Sequence, residues 1–428
     1  MFMATDTTPT YIFNPEHDLA LAYGTEGYTA PPRARILRRD LQMLPAWYCR
    51  GGKAADILSQ NVEEDTAWLD KMNALIDVGS LRPIALNRLQ CRHSDYRPWG
   101  WDLDLRRRLL NACVDARDLP PRAAVLKLQE LSHRRTAAEI NRLLADMLPG
   151  MKFPPAAVEV ASVDEIRRFN AMHPQCYIKA PWSGSGKGVY RVLDADCRSF
   201  ATWAQGIINR QGSIMCEVPL RKVLDFAMEF ECNGGRARFA GYSVFSNDSH
   251  CSYDSGIVAL QETLGRIISS RLQNPNLLPA IQASLCDILT RIVATHYNGP
   301  LGIDMMVYDD RGTMRIAPCV EMNLRMTMGA VAIPLADRLL AHGSCATFKV
   351  TYHKSADELT ATAESESRSN PPRFEGGKLA SGFMQLTPTY PGSRFLATLT
   401  ATKTTLQFNN IHPYNYDKEN ERGAGGSV

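Results

Sequence analysis

Ile178-Lys179-Ala180-Pro181-Trp182-Ser183-Gly184-Ser185-Gly186-Lys187-Gly188-Val189 is the stretch from which the rest of the chain is best read. A strand-like apolar segment delivers a lysine, small residues follow, and apolar chain resumes at Val189. Glycines let backbone N–H groups approach anionic oxygens closely, and Lys179 and Lys187 add positive charge, so the loop suits a phosphate cradle. Two commoner cradles are excluded. A Walker A loop would need glycine where Pro181 stands and serine or threonine where Gly188 stands. The dinucleotide fingerprint G-x-G-x-x-G fails because Gly184, Gly186 and Gly188 are spaced G-x-G-x-G. Taken alone, such a loop also reads as a tight surface turn.

A second signal lies downstream, in Glu321-Met322-Asn323-Leu324-Arg325. Residues two apart on an extended strand share a face, so Glu321, Asn323 and Arg325 are expected to project together. A carboxylate and an amide suit a hard metal ion, and a guanidinium suits phosphate oxygens. Asp304, on the preceding predicted strand, can add a second carboxylate. The two strands, residues 301–308 and 313–322, are joined by Asp309-Asp310-Arg311-Gly312, which has hairpin-turn chemistry. A solvated polar face is the competing interpretation. The apolar flanks Leu301, Ile303, Met305, Val307, Ile316 and Val320 place the polar groups beside a core instead.

These two blocks, in this order, resemble the ATP-grasp superfamily over roughly residues 131–332. The resemblance implies two α+β lobes that grip ATP, commonly with two Mg2+ ions, with Mn2+ as an alternative. It matches Lys179 to the lysine that reaches the nucleotide phosphates. Ser183, Gly184, Ser185, Gly186, Lys187 and Gly188 match the loop that closes over them. Cys216-Glu217-Val218-Pro219-Leu220 looks like the hinge at the adenine edge, with Glu217, Val218 and Leu220 at the nucleotide and Asp225 near the ribose. Asp304, Glu321 and Asn323 match metal ligands, and Arg325 the arginine at the transferring phosphoryl group. With Lys179, Arg325 forms the expected catalytic pair. The family's further lysine, near the start of a helix before this lobe, is missing. The comparable stretch is Ser132-His133-Arg134-Arg135-Thr136, where an arginine would have to serve. Counting back from the turn sets Asp304 opposite Ala317 rather than Glu321, unless a bulge at Pro318 corrects the register.

The expected fold class is an α/β N-terminal unit (residues 1–130), a two-lobed α+β ATP-grasp core (131–335) and a β-rich C-terminal extension (336–428). Ser132 is expected to cap a helix running to about Leu148, and residues 282–297 have helical periodicity. Residues 361–378, rich in polar residues, read as a loop, and residues 423–428 as a frayed tail. In the N-terminal unit, Asn14-Pro15-Glu16-His17-Asp18 follows a short strand. His17 is a candidate base or substrate contact there, while turn or capping roles are expected for Asn14 and Asp18. Tyr242, Ser246, Asn247 and Tyr253 are candidates for substrate selectivity.

The bulk numbers set the outer limits. With 428 residues, 45% hydrophobic and 22% charged, the chain reads as a soluble globular protein of two or three units. A net charge of +3 argues against a nucleic-acid or membrane partner. The 11 cysteines include no C-x-x-C pair and read as reduced thiols of a cytoplasmic protein. Neither a signal peptide nor a membrane span is expected. The reaction implied by the resemblance joins a small-molecule or peptide carboxylate to an amine through an acylphosphate. A phosphotransferase or a non-catalytic nucleotide-binding protein is the alternative, and a homo-oligomer stays open.

Overall fold

The computed structural model describes residues 8–49, 54–90, 93–184, 188–248, 253–274 and 276–403. Ser185, Gly186 and Lys187 of the glycine-rich loop, and the tail at residues 423–428, lie outside the described residues.

The N-terminal unit is built on four short parallel strands: β1 (Pro9–Ile12), β2 (Ala55–Leu58), β3 (Leu81–Ile84) and β4 (Asp95–Pro98). Their spatial order is β3-β2-β1-β4. The chain therefore leaves β1 towards one edge and returns to its other side at β4. Helix 103–111 is capped by Asp102, whose carboxylate accepts from Leu105 N at 2.8 Å.

A second sheet has the order β5-β8-β6-β7, from β5 (Val158–Val160), β6 (Tyr177–Lys179), β7 (Val189–Arg191) and β8 (Ile214–Glu217). The helix before it, Arg134–Met147, buries Ala137, Ile140 and Leu144 on one face. Its cap is His133, not Ser132: the imidazole accepts from Arg135 N at 3.0 Å. Ser132 instead closes the preceding helix, Arg122–Leu131, and its Oγ donates to Leu128 O.

Nine antiparallel strands form the main sheet. They are β9 (Arg221–Asn233), β10 (Arg236–Asn247), β11 (Tyr253–Val258), β12 (Gly299–Asp310), β13 (Thr313–Asn323), β14 (Cys345–Tyr352), β15 (Arg373–Glu375), β16 (Lys378–Gln385) and β17 (Phe395–Thr402). Their order is β13-β12-β9-β10-β11-β14-β17-β16-β15, so the chain beyond residue 335 adds four strands to the same sheet. The β12–β13 turn forms where expected. Arg311 and Gly312 both have positive φ, 55° and 90°, the signature of a two-residue type I′ hairpin.

Alternation along β9 and β12 sorts the main sheet into two faces. Phe226, Met228, Phe230, Leu301, Ile303 and Met305 enter a core against helix Leu277–Ile292. That helix begins and ends five residues earlier than its periodicity suggested. The other face carries Asp225, Glu229, Asp304 and Glu321. Tyr242 pairs with Met228 and lies on the core side, donating to Gln282, which removes it from the substrate candidates.

Residues 361–378 are not a loop. Helix Ala356–Ser369 is capped by Ser355, which accepts from Glu358 N at 3.1 Å. Leu359 and Ala363, one turn apart, pack on Leu396. Only Leu359 and Ala363 of this helix are buried, so its apolar stripe is narrow, and that is why composition pointed the wrong way.

Buried polar contacts fasten the N-terminal unit to the far end of the main sheet. Asp40 accepts from Ser393 Oγ and from the backbone N–H groups of Arg394 and Phe395. Arg338 donates to the carbonyls of Trp47 and Val78. These ties hold the segment after β1 over the polar face of β12 and β13.

Candidate functional site

The register of β12 and β13 decides the site. Met306 pairs with Ala317, yet Asp304 pairs with Glu321. Pro318, Cys319 and Val320 thus oppose Met305 alone, in a bulge where proline's missing N–H costs no ladder bond. The bulge sets Asp304 beside Glu321, and Asn323 Nδ2 donates to Asp304 Oδ2 at 3.0 Å. Burial, then the charges of Glu321 and Glu229, push the Asp304 carboxyl up to about 8. Two carboxylates thus face each other beneath an amide.

Three ion pairs surround this set. Arg325 clasps Asp18 with two bonds, Nε to Oδ1 at 2.8 Å and Nη2 to Oδ2 at 2.7 Å, and Nη2 also meets Asn323 Oδ1 at 2.9 Å. Burial works to raise the Asp18 carboxyl, but the charge and hydrogen bonds of Arg325 outweigh it and the net shift is downward. Arg134 Nη2 lies 2.8 Å from Glu321 Oε1. The same guanidinium donates to Ala180 O and Ser183 Oγ. Its Nη1 is enclosed without a hydrogen-bond partner among the described residues, as a donor awaiting an anion would be. Lys179 Nζ lies 2.6 Å from Glu217 Oε2. Burial pushes the Cys319 thiol up, helped by the nearby charges of Asp304, Glu321 and Glu217 and opposed by Lys179.

Most of the predicted residues therefore come together, but not all. Lys179, Glu217, Asp304, Glu321, Asn323 and Arg325 share the region, and Ser183 and Gly184 form its rim. Ala180 N donates to Gly188 O at 2.8 Å, closing the base of the glycine-rich loop. Val218 packs half-buried against the core of the second sheet, and Leu220 is half-buried just beyond it. Asp225 is held by Lys222 at 2.7 Å and Asn247 at 3.1 Å, apart from the Arg325 group. Asp18 has no turn role: it is the partner of Arg325, 307 residues away in sequence. Of the two arginines in the Ser132–Thr136 stretch, Arg134 enters the site, while Arg135 pairs with Glu159 on the outside.

Sequence reading missed Glu229. It is 2% exposed and accepts from Ser243 Oγ at 3.0 Å and Thr327 Oγ1 at 2.8 Å. Burial, against those two bonds, pushes it up to about 7. The available signal was a lone carboxylate inside the apolar run 226–230. A small cavity of about 20 Å³ is lined by His17, Asp18, Ser183, Glu321 and Asn323 among others.

The donor set fits magnesium. Among the described residues no three His, Cys, Asp or Glu side chains group to hold a metal ion, so the candidate set is two carboxylates completed by the amide of Asn323. Two carboxylates and an amide leave ligand positions open, which suits an ion that keeps waters and takes phosphate oxygens.

Known structures carry the same architecture. Biotin carboxylase from Campylobacter jejuni, solved as a β,γ-ATP complex, is 10% identical with a TM-score of 0.50, covering 93% of this chain and 88% of that chain. This chain has the ATP-grasp fold. The ATP-grasp likeness extends to N5-carboxyaminoimidazole synthetase from Staphylococcus aureus with ADP, at 13% identity and TM-score 0.51, covering 94% and 95%. It extends also to the biotin carboxylase domain of Hydrogenobacter thermophilus 2-oxoglutarate carboxylase with MgADP and bicarbonate, at 11% and 0.50, covering 92% and 86%. No protein-family model matches the sequence, and no curated protein matches it.

Proposed function

We propose that the chain is an ATP- and magnesium-dependent ligase that activates a small-molecule or peptide carboxylate as an acylphosphate for attack by an amine. The observation that carries this reading is the Asp304–Glu321–Asn323 set, flanked by Arg134 and Arg325 on an ATP-grasp fold. Bringing a carboxylate to a polyphosphate opposes two anions, and the site is rich in the means to offset that. Asp304, Glu321 and Asn323 would hold magnesium, which when bound supplies charge neutralisation at the phosphoryl oxygens. Arg134 and Lys179 bind and orient the polyphosphate once their carboxylate partners are exchanged for phosphate. Arg325 stabilises negative charge on the transferring group. The rim at Ser183 and Gly184 excludes water that would hydrolyse an acylphosphate.

In this reading residues 131–335 bind the nucleotide, residues 1–130 bring the acceptor side, and the described part of the C-terminal extension, residues 336–403, braces the two. The nine described cysteines are all free, which supports a cytoplasmic setting. Among the described residues no helix is long and apolar enough to cross a membrane.

The test is hydroxylamine trapping. Protein, MgATP and candidate acids should yield ADP and hydroxamate in step. AMP and pyrophosphate would indicate adenylation, and a stable phosphorylated product would indicate a kinase. Either result removes the ligase reading and keeps the fold.

A further inference from the structure

The order β3-β2-β1-β4 reverses between β1 and β4. In open parallel sheets the crevice beyond the strand ends at such a point is where ligands sit. Two segments leave those ends here, residues 13–18 and 99–102, and they are locked together. Trp99 N donates to Ile12 O at 2.7 Å, and Asn14 Nδ2 donates to Gly100 O at 2.8 Å. Asn14 Nδ2 also lies 3.3 Å from Asp102 Oδ2.

His17 sits in this lock, 2% exposed, with Nδ1 3.4 Å from the buried Asp102 carboxylate. A carboxylate accepts, so the Nδ1–H tautomer is assigned and Nε2 carries the lone pair. The ring lies on Gly100, where a Cβ would come within 2.5 Å of it, so the imidazole plane is fixed. Nε2 has no hydrogen-bond partner among the described residues, and it is not one of the enclosed unpaired atoms. His17 lines the same cavity as Asp18, Ser183, Glu321 and Asn323. Most buried side-chain nitrogens and oxygens of folded proteins have a hydrogen-bond partner. His17 has an orienting carboxylate on one nitrogen and leaves the other free beside the phosphoryl-transfer residues.

We infer that His17, held by Asp102, is the general base that deprotonates the attacking amine, and that the acceptor is an alkylamine whose nitrogen reaches this cavity. The inference rests on the ligase reading. The ammonium gives one proton to Nε2, and the freed lone pair forms the C–N bond to the acyl carbon. The C–O bond to phosphate breaks with its electron pair on the phosphate, which takes the second N–H proton. Asp102 stabilises the imidazolium and acts as a positioning residue. The other charged groups around the ring are Asp18, the Arg325 bound to it, Arg134, and Glu321 of the same cavity.

The experiment separates the two half-reactions. Full-length protein, MgATP and a mixture of protein amino acids with short mono- and dicarboxylic acids are incubated with and without hydroxylamine. Hydroxamate reports the acylphosphate, and amide found by mass spectrometry reports ligation. Hydroxylamine is unprotonated at neutral pH and needs no base, whereas an alkylammonium does. His17→Gln should lower the amide-to-hydroxamate ratio by about 100- to 1000-fold at about pH 7. The ratio should recover towards about pH 9, where free amine is abundant. Added imidazole should restore part of it in His17→Ala. Asp102→Asn should lower it less and leave hydroxamate formation unchanged, because the imidazole keeps its place but loses the partner that sets its tautomer. An unchanged ratio, or an equal fall in both products, refutes the base and leaves the ligase standing. No hydroxamate from any acid with the wild-type protein refutes the ligase reading, and the base with it.

Discussion

Magnesium affinity should rise steeply with pH, because Asp304 must lose its proton before it can coordinate. Its carboxyl is pushed up to about 8 by burial and by the facing Glu321 and Glu229. The ionised fraction then grows from about 3% at about pH 6.5 to about 75% at about pH 8.5, so apparent metal affinity should strengthen about 25-fold, or about 2 kcal/mol. The assay is calorimetric titration of Mg2+ into the ADP-bound protein at both pH values. Asp304→Asn serves as the reference, since it cancels the nucleotide's own protonation. The variant should bind more weakly and keep only the slope that ADP contributes. Stability of the metal-free protein gives the sign in reverse. The folded state retains a proton that the unfolded carboxyl loses near pH 3.9, so stability falls as pH rises from there through about 8, and then levels off. Asp304→Asn should remove that part of the fall. Identical pH slopes for wild type and variant, in binding and in melting, would refute the placement of Asp304 against Glu321.

Three shorter predictions follow from the same geometry. Lys179→Ala should weaken MgATP binding by about 1.5–3 kcal/mol in calorimetry, the range for a hydrogen bond to a charged group; unchanged affinity in a folded variant removes Lys179 from the site. Glu321→Gln should abolish phosphoryl transfer while nucleotide still binds, and wild-type turnover at low magnesium would make the hairpin purely structural. Gly329→Ala should lower stability by about 1–3 kcal/mol, read from denaturant midpoints. Its Cβ would sit 2.1 Å from Glu229 Oε1 and 2.4 Å from Ser243 Oγ, and a neutral midpoint would contradict that packing.

What the sequence determined by itself was local. A strand ending in Lys179, a run of small residues, and alternating polar side chains at Glu321, Asn323 and Arg325 are patterns set by neighbouring residues along one chain segment. The hairpin turn at Asp309-Asp310-Arg311-Gly312 is of the same kind, since its aspartates and glycine are turn residues. What only the tertiary structure decided depends on elements that meet from far apart. The three-residue bulge opposite Met305 fixes Asp304 on Glu321, and strand patterning cannot count it because a bulge breaks the period of two. The helix at 356–369 was hidden because its stability comes from two residues packed on Leu396 rather than from a full apolar face. Asp18 could be assigned to Arg325, and His17 to Asp102, only once the parallel sheet and its clamps had placed the N-terminal segment over the hairpin. A side chain's partner across 307 residues is settled by the packing of whole units, and no local propensity carries that information.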